Sequence, residues 1–114
     1  MVSTRINIKK SEVKKMLIDI KESSNIIFVR RNNEPQKDPY SFFLEIGIDY
    51  EDAINIINNL TINEYKYSLY DMNGKYNYLH VFYKDYNDKT IYIKIGFKSD
   101  KTVVISFHEK KFEN

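Results

Sequence analysis

The sequence predicts an α+β fold, in which N-terminal helices pack on one face of an antiparallel sheet of three or four strands. Apolar residues repeat at helical spacing as far as Leu60. From Glu64 onward they alternate with polar residues, as they do in strands, and turn sequences such as Asn73-Gly74 separate the alternating runs. Helices followed by successive strands are typical of a single α+β domain, here residues 1–114.

Three segments of the N-terminal half carry helix signals. Ser11 can cap a first helix, which ends at Ser23-Ser24. Asp38-Pro39 starts a second helix, because Asp is a favoured N-cap and Pro fits the first helical position, and Gly47 ends it. Asp49 caps a third helix, whose apolar residues share one face: Tyr50, Ala53, Ile54, Ile57 and Leu60.

Four strands are predicted in the C-terminal half, at Tyr65–Tyr70, Tyr76–Tyr83, Thr90–Phe97 and Thr102–His108. The turns between them contain Asn73-Gly74, the polar residues 85–89 and Ser99-Asp100. One shorter apolar run, Ile26–Val29, is either an edge strand or an extended segment. A loop containing Pro35 follows it.

Composition narrows the class of protein. Hydrophobic residues make up 42% and charged residues 30%, which favours a folded domain over a disordered chain. We expect no membrane span, no secretory signal and no disulfide, because apolar runs are short and cysteine is absent, and a cytoplasmic location fits this pattern. Residues 1–31 and 65–114 are basic and residues 34–64 are acidic, so two basic segments can form a cleft for a polyanion.

The last two strands carry the most informative pattern. Because side chains alternate between the faces of a strand, Tyr92, Lys94, Ser106 and His108 are predicted to share one face. The opposite face is apolar and is predicted to lie under the helices: Ile91, Ile93, Ile95, Val103, Ile105 and Phe107. We call the face that the helices leave uncovered the bare face.

The same alternation extends the bare face to the first two strands. It assigns Leu79, Val81 and Tyr83 to the helix-covered face, together with Tyr67 and Leu69. The remaining side chains are then predicted to lie on the bare face: Lys66, Ser68, Tyr70, Tyr78, His80, Phe82 and Lys84. The predicted bare face therefore holds both histidines of the chain, His80 and His108.

These residue types favour RNA cleavage without a metal ion. The two histidines lie far apart in sequence, no thiolate exists, and neither a nucleophile elbow nor a glycine-rich phosphate loop is present. RNA supplies its own nucleophile, the 2′-OH, so the protein needs a base, an acid and positive charge. No cofactor is predicted. Two alternatives stay open: a non-catalytic module that binds RNA or protein, and an antitoxin or immunity protein.

Five short stretches are similar to the MqsR family of bacterial toxins, the motility quorum-sensing regulators. They are Ser11–Lys15, Ile46–Tyr50, Ile56–Leu60, Ile91–Ile95 and Val104–Lys110. The resemblance implies a RelE-like α+β fold and a ribosome-independent endoribonuclease that acts on messenger RNA. It also implies a type II toxin that a cognate antitoxin protein silences.

The resemblance also assigns positions. The tyrosine of the family's penultimate strand matches Tyr92, and its lysine near the C-terminus matches His108. Another family lysine falls on Tyr67, beside Lys66, and the family's glutamine falls on Leu79, beside His80. The sequence thus predicts a metal-independent endoribonuclease whose catalytic residues are His108, Tyr92, Lys66 and His80. The residues predicted to contact RNA are Lys94, Tyr67 and Lys84.

Overall fold

The computed structural model describes residues 4–23 and 25–113, which form three α-helices and one six-stranded sheet. The helices are α1 (Lys10–Glu22), α2 (Pro39–Ile46) and α3 (Tyr50–Asn58). The strands are β1 (Arg5–Ile6), β2 (Asn25–Phe28), β3 (Tyr65–Tyr70), β4 (Tyr78–Tyr86), β5 (Lys89–Lys98) and β6 (Lys101–Glu109). Short 3₁₀ helices occupy Pro35–Lys37 and Lys110–Phe112. No helix within the two described ranges is both long and apolar enough to cross a membrane.

The α+β class is confirmed, but the prediction of three or four antiparallel strands is wrong. The strand order is β1-β3-β4-β5-β6-β2, and β2 runs parallel to β6 whereas the other neighbours are antiparallel. The strand β1 has only two residues, too few for an alternating pattern. The apolar run of β2 proves to be an edge strand, and its direction depends on the pairing with the distant β6.

The predicted start and end of α2 and the predicted start of α3 are confirmed, whereas α3 ends at Asn58, before the predicted Leu60. The carboxylate of Asp38 accepts a hydrogen bond of 3.2 Å from the Ser41 N–H, which caps α2. Gly47 follows that helix with φ of 73°, a left-handed conformation that glycine adopts without strain. Asp49 and Asp52 form a reciprocal capping box at the start of α3.

The start of α1 differs from the prediction. The helix begins at Lys10, so Ser11 lies inside its first turn, and the N-cap Lys9 makes no side-chain capping bond. Burial of one apolar face fixes the position of this helix instead: Val13, Met16 and Ile20 are buried. Ser23 is the C-cap, as predicted, and Ser24 lies outside the described residues.

Two of the three predicted turns are confirmed. Asn87-Asp88 and Ser99-Asp100 join adjacent strands as two-residue loops, and Asn87 and Ser99 have positive φ. Asn73-Gly74 instead belongs to a longer loop, because the Asp71 carboxylate accepts the Tyr76 N–H at 2.7 Å and β4 starts only at Tyr78.

The helices cover one face of the sheet and form the core with it. Phe107 lies at its centre, with its ring centroid 5.5 Å from that of Phe28 and 5.4 Å from that of Phe43. The predicted inward residues Ile91, Ile93 and Ile95 are fully buried there. Val103 and Ile105 do not join them. A bulge shifts the register so that Val104 pairs with Ile95 and takes the core position.

The predicted faces of β4 are reversed. His80 pairs with Ile95, and Phe82 pairs with Ile93, so both lie on the helix-covered face, whereas Val81 and Tyr83 lie on the bare face. Alternation could not decide between the faces, because β4 carries large apolar residues on both. The pairing partner decides, and Phe82 is fully buried in the core.

The predicted faces of β3 are wrong for a related reason. Tyr67 pairs with Val81 on the bare face, and Ser68 pairs with His80 on the helix-covered face. A bulge between Tyr65 and Tyr67 interrupts the alternation, so Lys66 is an extra residue in the ladder.

Candidate active site on the bare face

Two cross-strand pairs form the centre of the site. Tyr92 of β5 lies opposite His108 of β6, and Lys94 lies opposite Ser106. The Tyr92 and His108 rings stack with 5.5 Å between centroids and 25° between planes. The predicted placement of these four residues on one face is confirmed. A phenol, an imidazole, an amine and a hydroxyl therefore meet on the face opposite the core.

His108 is held with one ring nitrogen ready to accept a proton. Its Nδ1 lies 3.0 Å from the carbonyl oxygen of Glu109, and because a carbonyl only accepts, Nδ1 donates. The neutral ring then has its lone pair on Nε2, which is buried without a hydrogen bond among the described residues. Burial lowers the pKa of His108, which keeps the ring neutral near pH 7.

Tyr92 is nearly buried and keeps its proton. Burial raises the pKa of Tyr92 well above that of an ordinary tyrosine, and the neighbouring Tyr67 and the carboxylate of Glu113 raise it further. The ring of Tyr83 lies 6.2 Å from that of Tyr92 between centroids. The hydroxyl of Tyr92 is therefore a hydrogen-bond donor at neutral pH, next to an imidazole that accepts.

Positive charge reaches the site from a loop as well as from the sheet. An Arg31 guanidinium nitrogen lies 3.3 Å from Ser106 Oγ and 3.1 Å from the carbonyl oxygen of Ile105. Lys94 is partly buried, and burial lowers the pKa of its amine, while Glu113 raises it and Arg31 and Lys37 lower it. Arg31, Lys37 and Lys94 therefore act on one another across one small area.

Asp38 holds this loop against the sheet. Its carboxylate accepts hydrogen bonds from the Arg30 Nε at 2.9 Å and from the Arg31 N–H at 2.8 Å, besides capping α2. Burial by itself raises the pKa of Asp38, but these hydrogen bonds and the Arg30 charge lower it overall, to about 2. One buried carboxylate thus closes the segment between Arg30 and α2, which places Arg31 and Lys37 beside β6.

The segment after β6 folds back over His108. The carboxylate oxygen Oε2 of Glu113 lies 2.8 Å from Lys37 Nζ and 3.6 Å from His108 Nε2. The surrounding residues bury the His108 side chain completely. A ligand that approaches Nε2 from this side would therefore take the place of this carboxylate.

A second basic area lies beside Tyr83, at the other end of the site. The Nζ atoms of Lys66 and Lys110 lie 5.6 Å and 5.1 Å from the Tyr83 ring centroid. Lys84 pairs with Ile91 and so belongs to the helix-covered face of β4. Its side chain nevertheless lines an open polar groove, together with those of Lys66, Tyr83 and Lys110. Lys66 lies in the β3 bulge, which places its amine over Tyr83. Tyr67 lies under Arg5, with 4.1 Å between its ring centroid and the guanidinium carbon.

His80 does not belong to this site, contrary to the prediction. It is nearly buried on the helix-covered face, where its Nδ1 lies 2.7 Å from Ser68 Oγ, and Ser68 Oγ lies 2.7 Å from the Tyr65 hydroxyl. Burial lowers the pKa of His80 to about 4. The residue on the bare face at that point of β4 is Leu79, which pairs with Leu69.

Arg31, Lys37 and Glu113 were not predicted as site residues. All three lie outside the predicted strands, so alternation says nothing about them. Their only sequence signal is charge, and charged residues are common throughout this chain. A long-range pairing, β2 with β6, brings two of them to the site. Among residues 4–23 and 25–113, no three His, Asp or Glu side chains form a group able to bind a metal ion.

Comparison with known families matches most of the chain. Residues 14–109 fit the model of a family described as motility quorum-sensing regulator, toxin of MqsA. The matched segment extends from α1 through β6 and contains Tyr92, Lys94 and His108, whereas Glu113 follows it. No curated protein sequence gives a significant match. The resemblance inferred from short stretches is thus confirmed, and the chain belongs to the MqsR family, the toxins of toxin–antitoxin pairs.

Proposed function

We propose that this toxin is an endoribonuclease that cleaves single-stranded messenger RNA without a metal ion. The observation that carries the proposal is the Tyr92–His108 pair on the bare face, with 5.5 Å between ring centroids and cations around it. Membership of a toxin family supports an antitoxin protein as partner and excludes the alternative that the chain is itself the antitoxin.

In the proposed reaction, His108 Nε2 removes the proton of the 2′-OH next to the scissile phosphate. The 2′-oxygen then bonds to phosphorus while the bond from phosphorus to the 5′-oxygen breaks, and Tyr92 donates its proton to the departing 5′-oxygen. The products are a 2′,3′-cyclic phosphate and a 5′-hydroxyl. Water subsequently returns a proton to Tyr92 and accepts one from His108.

Positive charge stabilises the phosphorane-like transition state. Lys94 lies beside Tyr92 on the same face of β5, and Arg31 lies against Ser106 opposite it. Fixed cations in a partly buried site stabilise developing negative charge more than cations in water do. Lys66, Lys84 and Lys110 line the groove beside Tyr83 together with Glu64 and Asp85. The three lysines suit the phosphates of the flanking RNA, and the aromatic ring of Tyr83 suits stacking on a base.

The substrate chemistry supports metal independence. A 2′-OH nucleophile, a neutral imidazole and a phenol complete the proton transfers without a Lewis acid. The Glu113 carboxylate, 3.6 Å from His108 Nε2, is already paired with Lys37, which makes it a poor ligand for a metal ion.

The direct test is cleavage of a single-stranded RNA by the purified protein in excess chelator. We expect cleavage to persist in chelator and to fall by at least about a hundredfold in His108→Ala and Tyr92→Phe, the usual effect of losing a general acid or base. His80→Gln is the matched histidine control and should retain activity. Loss of cleavage in chelator would contradict metal independence, and full activity of both site variants would contradict the assigned residues.

The second candidate function is a non-catalytic module that binds RNA or a protein partner. The complete burial of His108 favours it, because a base must reach its substrate. The same experiment separates the two functions. Tight binding of RNA that is recovered intact, with binding unaffected by Tyr92→Phe, would favour the module.

A further inference from the structure

An anionic side chain occupies the cationic centre of the bare face. A single oxygen of Glu113, Oε2, lies 2.8 Å from Lys37 Nζ and 3.6 Å from His108 Nε2. Arg31 and Lys94 border the same area and act electrostatically on one another. The segment around Glu113 thus carries a carboxylate to Lys37 in this cationic area, where the carboxylate of Glu34 also lies 3.5 Å from Arg31 and 3.7 Å from Lys37.

The contact with His108 is incomplete. At 3.6 Å the carboxylate is too far away for a hydrogen bond, and Nε2 is buried without any partner in the described part of the chain. Buried polar atoms nearly always have a hydrogen-bond partner in folded proteins. Because Nε2 and the carboxylate oxygen are both acceptors, they cannot bond to each other, so Lys37 and not His108 holds Glu113 in this place.

We infer that Lys37, Lys94 and Arg31 form a binding site for a phosphate group next to His108, and that Glu113 occupies it in the absence of RNA. The inference deepens the proposed function and rests on it for the identity of the group as an RNA phosphodiester. The exchange conserves charge, because a diester and a carboxylate each carry one negative charge. A phosphate also offers two non-bridging oxygens, which the neighbouring cations can share, while the lone pair of His108 Nε2 stays available for the adjacent 2′-OH.

Displacement of Glu113 disturbs little of the fold. The 3₁₀ helix before it, Lys110–Phe112, contains no buried residue, so moving it exposes little apolar surface. Lys37 stays in place when Glu113 leaves, because Asp38 fixes its loop through Arg30 and the Arg31 N–H. The phosphate site is therefore already formed in the absence of RNA, except that Glu113 occupies it.

Titration of inorganic phosphate into the full-length protein tests the inference without RNA. We expect Glu113→Gln to bind phosphate about tenfold more tightly than wild type, because one charge-assisted contact is worth roughly 1.4 kcal/mol. Phosphate should also shift the Nε2 nitrogen resonance of His108. Glu109→Gln is the matched control: it removes the same charge from β6, but Glu109 pairs with Lys89 and Lys111.

A second variant identifies the cation that holds the anion. In the Glu113→Gln background, Lys37→Ala should remove the gain in phosphate affinity. An affinity that is unchanged in Glu113→Gln, or that rises equally in Glu109→Gln, would overturn the inference. So would a His108 resonance that does not respond to phosphate.

The RNA measurement separates this inference from the proposed function. With RNA as substrate, Glu113→Gln should lower KM while kcat stays within about threefold, because the carboxylate competes with the substrate and takes no part in the chemistry. A collapse of kcat would overturn the assigned role of Glu113. If the wild type cleaves no RNA but Glu113→Gln still gains phosphate affinity, the phosphate site stands and the proposed reaction fails.

Discussion

At the scale of single residues, burial shifts the pKa values of two neighbouring side chains in opposite directions. Burial lowers the pKa of His108 and raises the pKa of Tyr92. Near pH 7 the imidazole is therefore neutral with an available lone pair on Nε2, and the phenol next to it is protonated. Environments that push two pKa values apart in this way create an acid and a base from adjacent groups.

The pH dependence of cleavage follows from the lowered pKa of His108. A protonated imidazole cannot accept the 2′-OH proton, so kcat/KM should fall as the pH decreases through the pKa of His108. Because burial lowers that pKa, the midpoint should lie below the ordinary histidine value of about 6.5. The measurement is a profile of kcat/KM against pH.

His80→Gln should leave this profile unchanged, since His80 lies on the other face of the sheet. An acidic limb that persists in His108→Asn, or that disappears in His80→Gln, would show that another group titrates.

Removal of one hydroxyl tests the role of Tyr92. Tyr92→Phe keeps the ring stacked on His108 and removes only the donor, so kcat should decrease about a hundredfold or more with little change in the melting temperature. Tyr70→Phe is the control, because Tyr70 is half exposed and pairs with Tyr78 at the far end of β3. Equal rates for the two variants would contradict the proton-transfer role of Tyr92.

At the scale of secondary-structure elements, the loop between β2 and α2 depends on one carboxylate. Asp38 caps α2, binds Arg30 and accepts the Arg31 N–H, which holds the loop against β6. The pKa of Asp38 is lowered from 3.8 to about 2. Because the folded-state pKa lies below the unfolded one, the stabilisation is present above about pH 4 and is lost as the pH falls towards 2.

Asp38→Asn should therefore reduce the free energy of unfolding at pH 7 by about 2 kcal/mol, which is roughly the energy of this pKa shift. The difference between wild type and variant should shrink at pH 2.5. Urea unfolding at both values of pH measures it. Asp19→Asn, an exposed change on α1, should cost less than about 0.5 kcal/mol. A difference that does not depend on pH would exclude the assigned ion pair as its source.

At the scale of the whole molecule, local signals predicted elements well, but not which face each strand presents. Asp38, Gly47 and Asp49 mark helix ends because a cap involves only nearby atoms. The face predicted for His80 was wrong because β4 has large apolar residues on both sides. The register of β4 with β5 decides which of its side chains face the helices. Bulges in β3 and β6 invert the alternation without a sequence signal.

The residues of the candidate site also form two groups, those that alternation within strands predicts and those that only tertiary contacts bring to the site. Tyr92, Lys94 and His108 follow from regular alternation in two paired strands and were predicted together. Arg31, Lys37 and Glu113 come from a loop, a 3₁₀ helix and the segment after β6. Only tertiary contacts place these side chains on the sheet, so no pattern within the sequence identifies them.

The family assignment predicts a cellular effect of the entire protein. Expression of the wild-type toxin alone should arrest the growth of a bacterial host, and co-expression of its cognate antitoxin should restore it. His108→Ala should permit growth at equal protein levels. Arrest by His108→Ala that is as complete as that by the wild type would indicate that toxicity does not require the proposed chemistry.

The chemistry of the RNA ends reports which oxygen attacks the phosphorus, and so tests whether His108 and Tyr92 act on the 2′-OH. If His108 and Tyr92 activate the 2′-OH, mass spectrometry of the cleaved RNA will show a 2′,3′-cyclic phosphate on one fragment and a 5′-hydroxyl on the other. An oligonucleotide with 2′-O-methyl groups throughout should stay intact. A 5′-phosphate on the downstream fragment, or cleavage of the methylated oligonucleotide, would contradict the account.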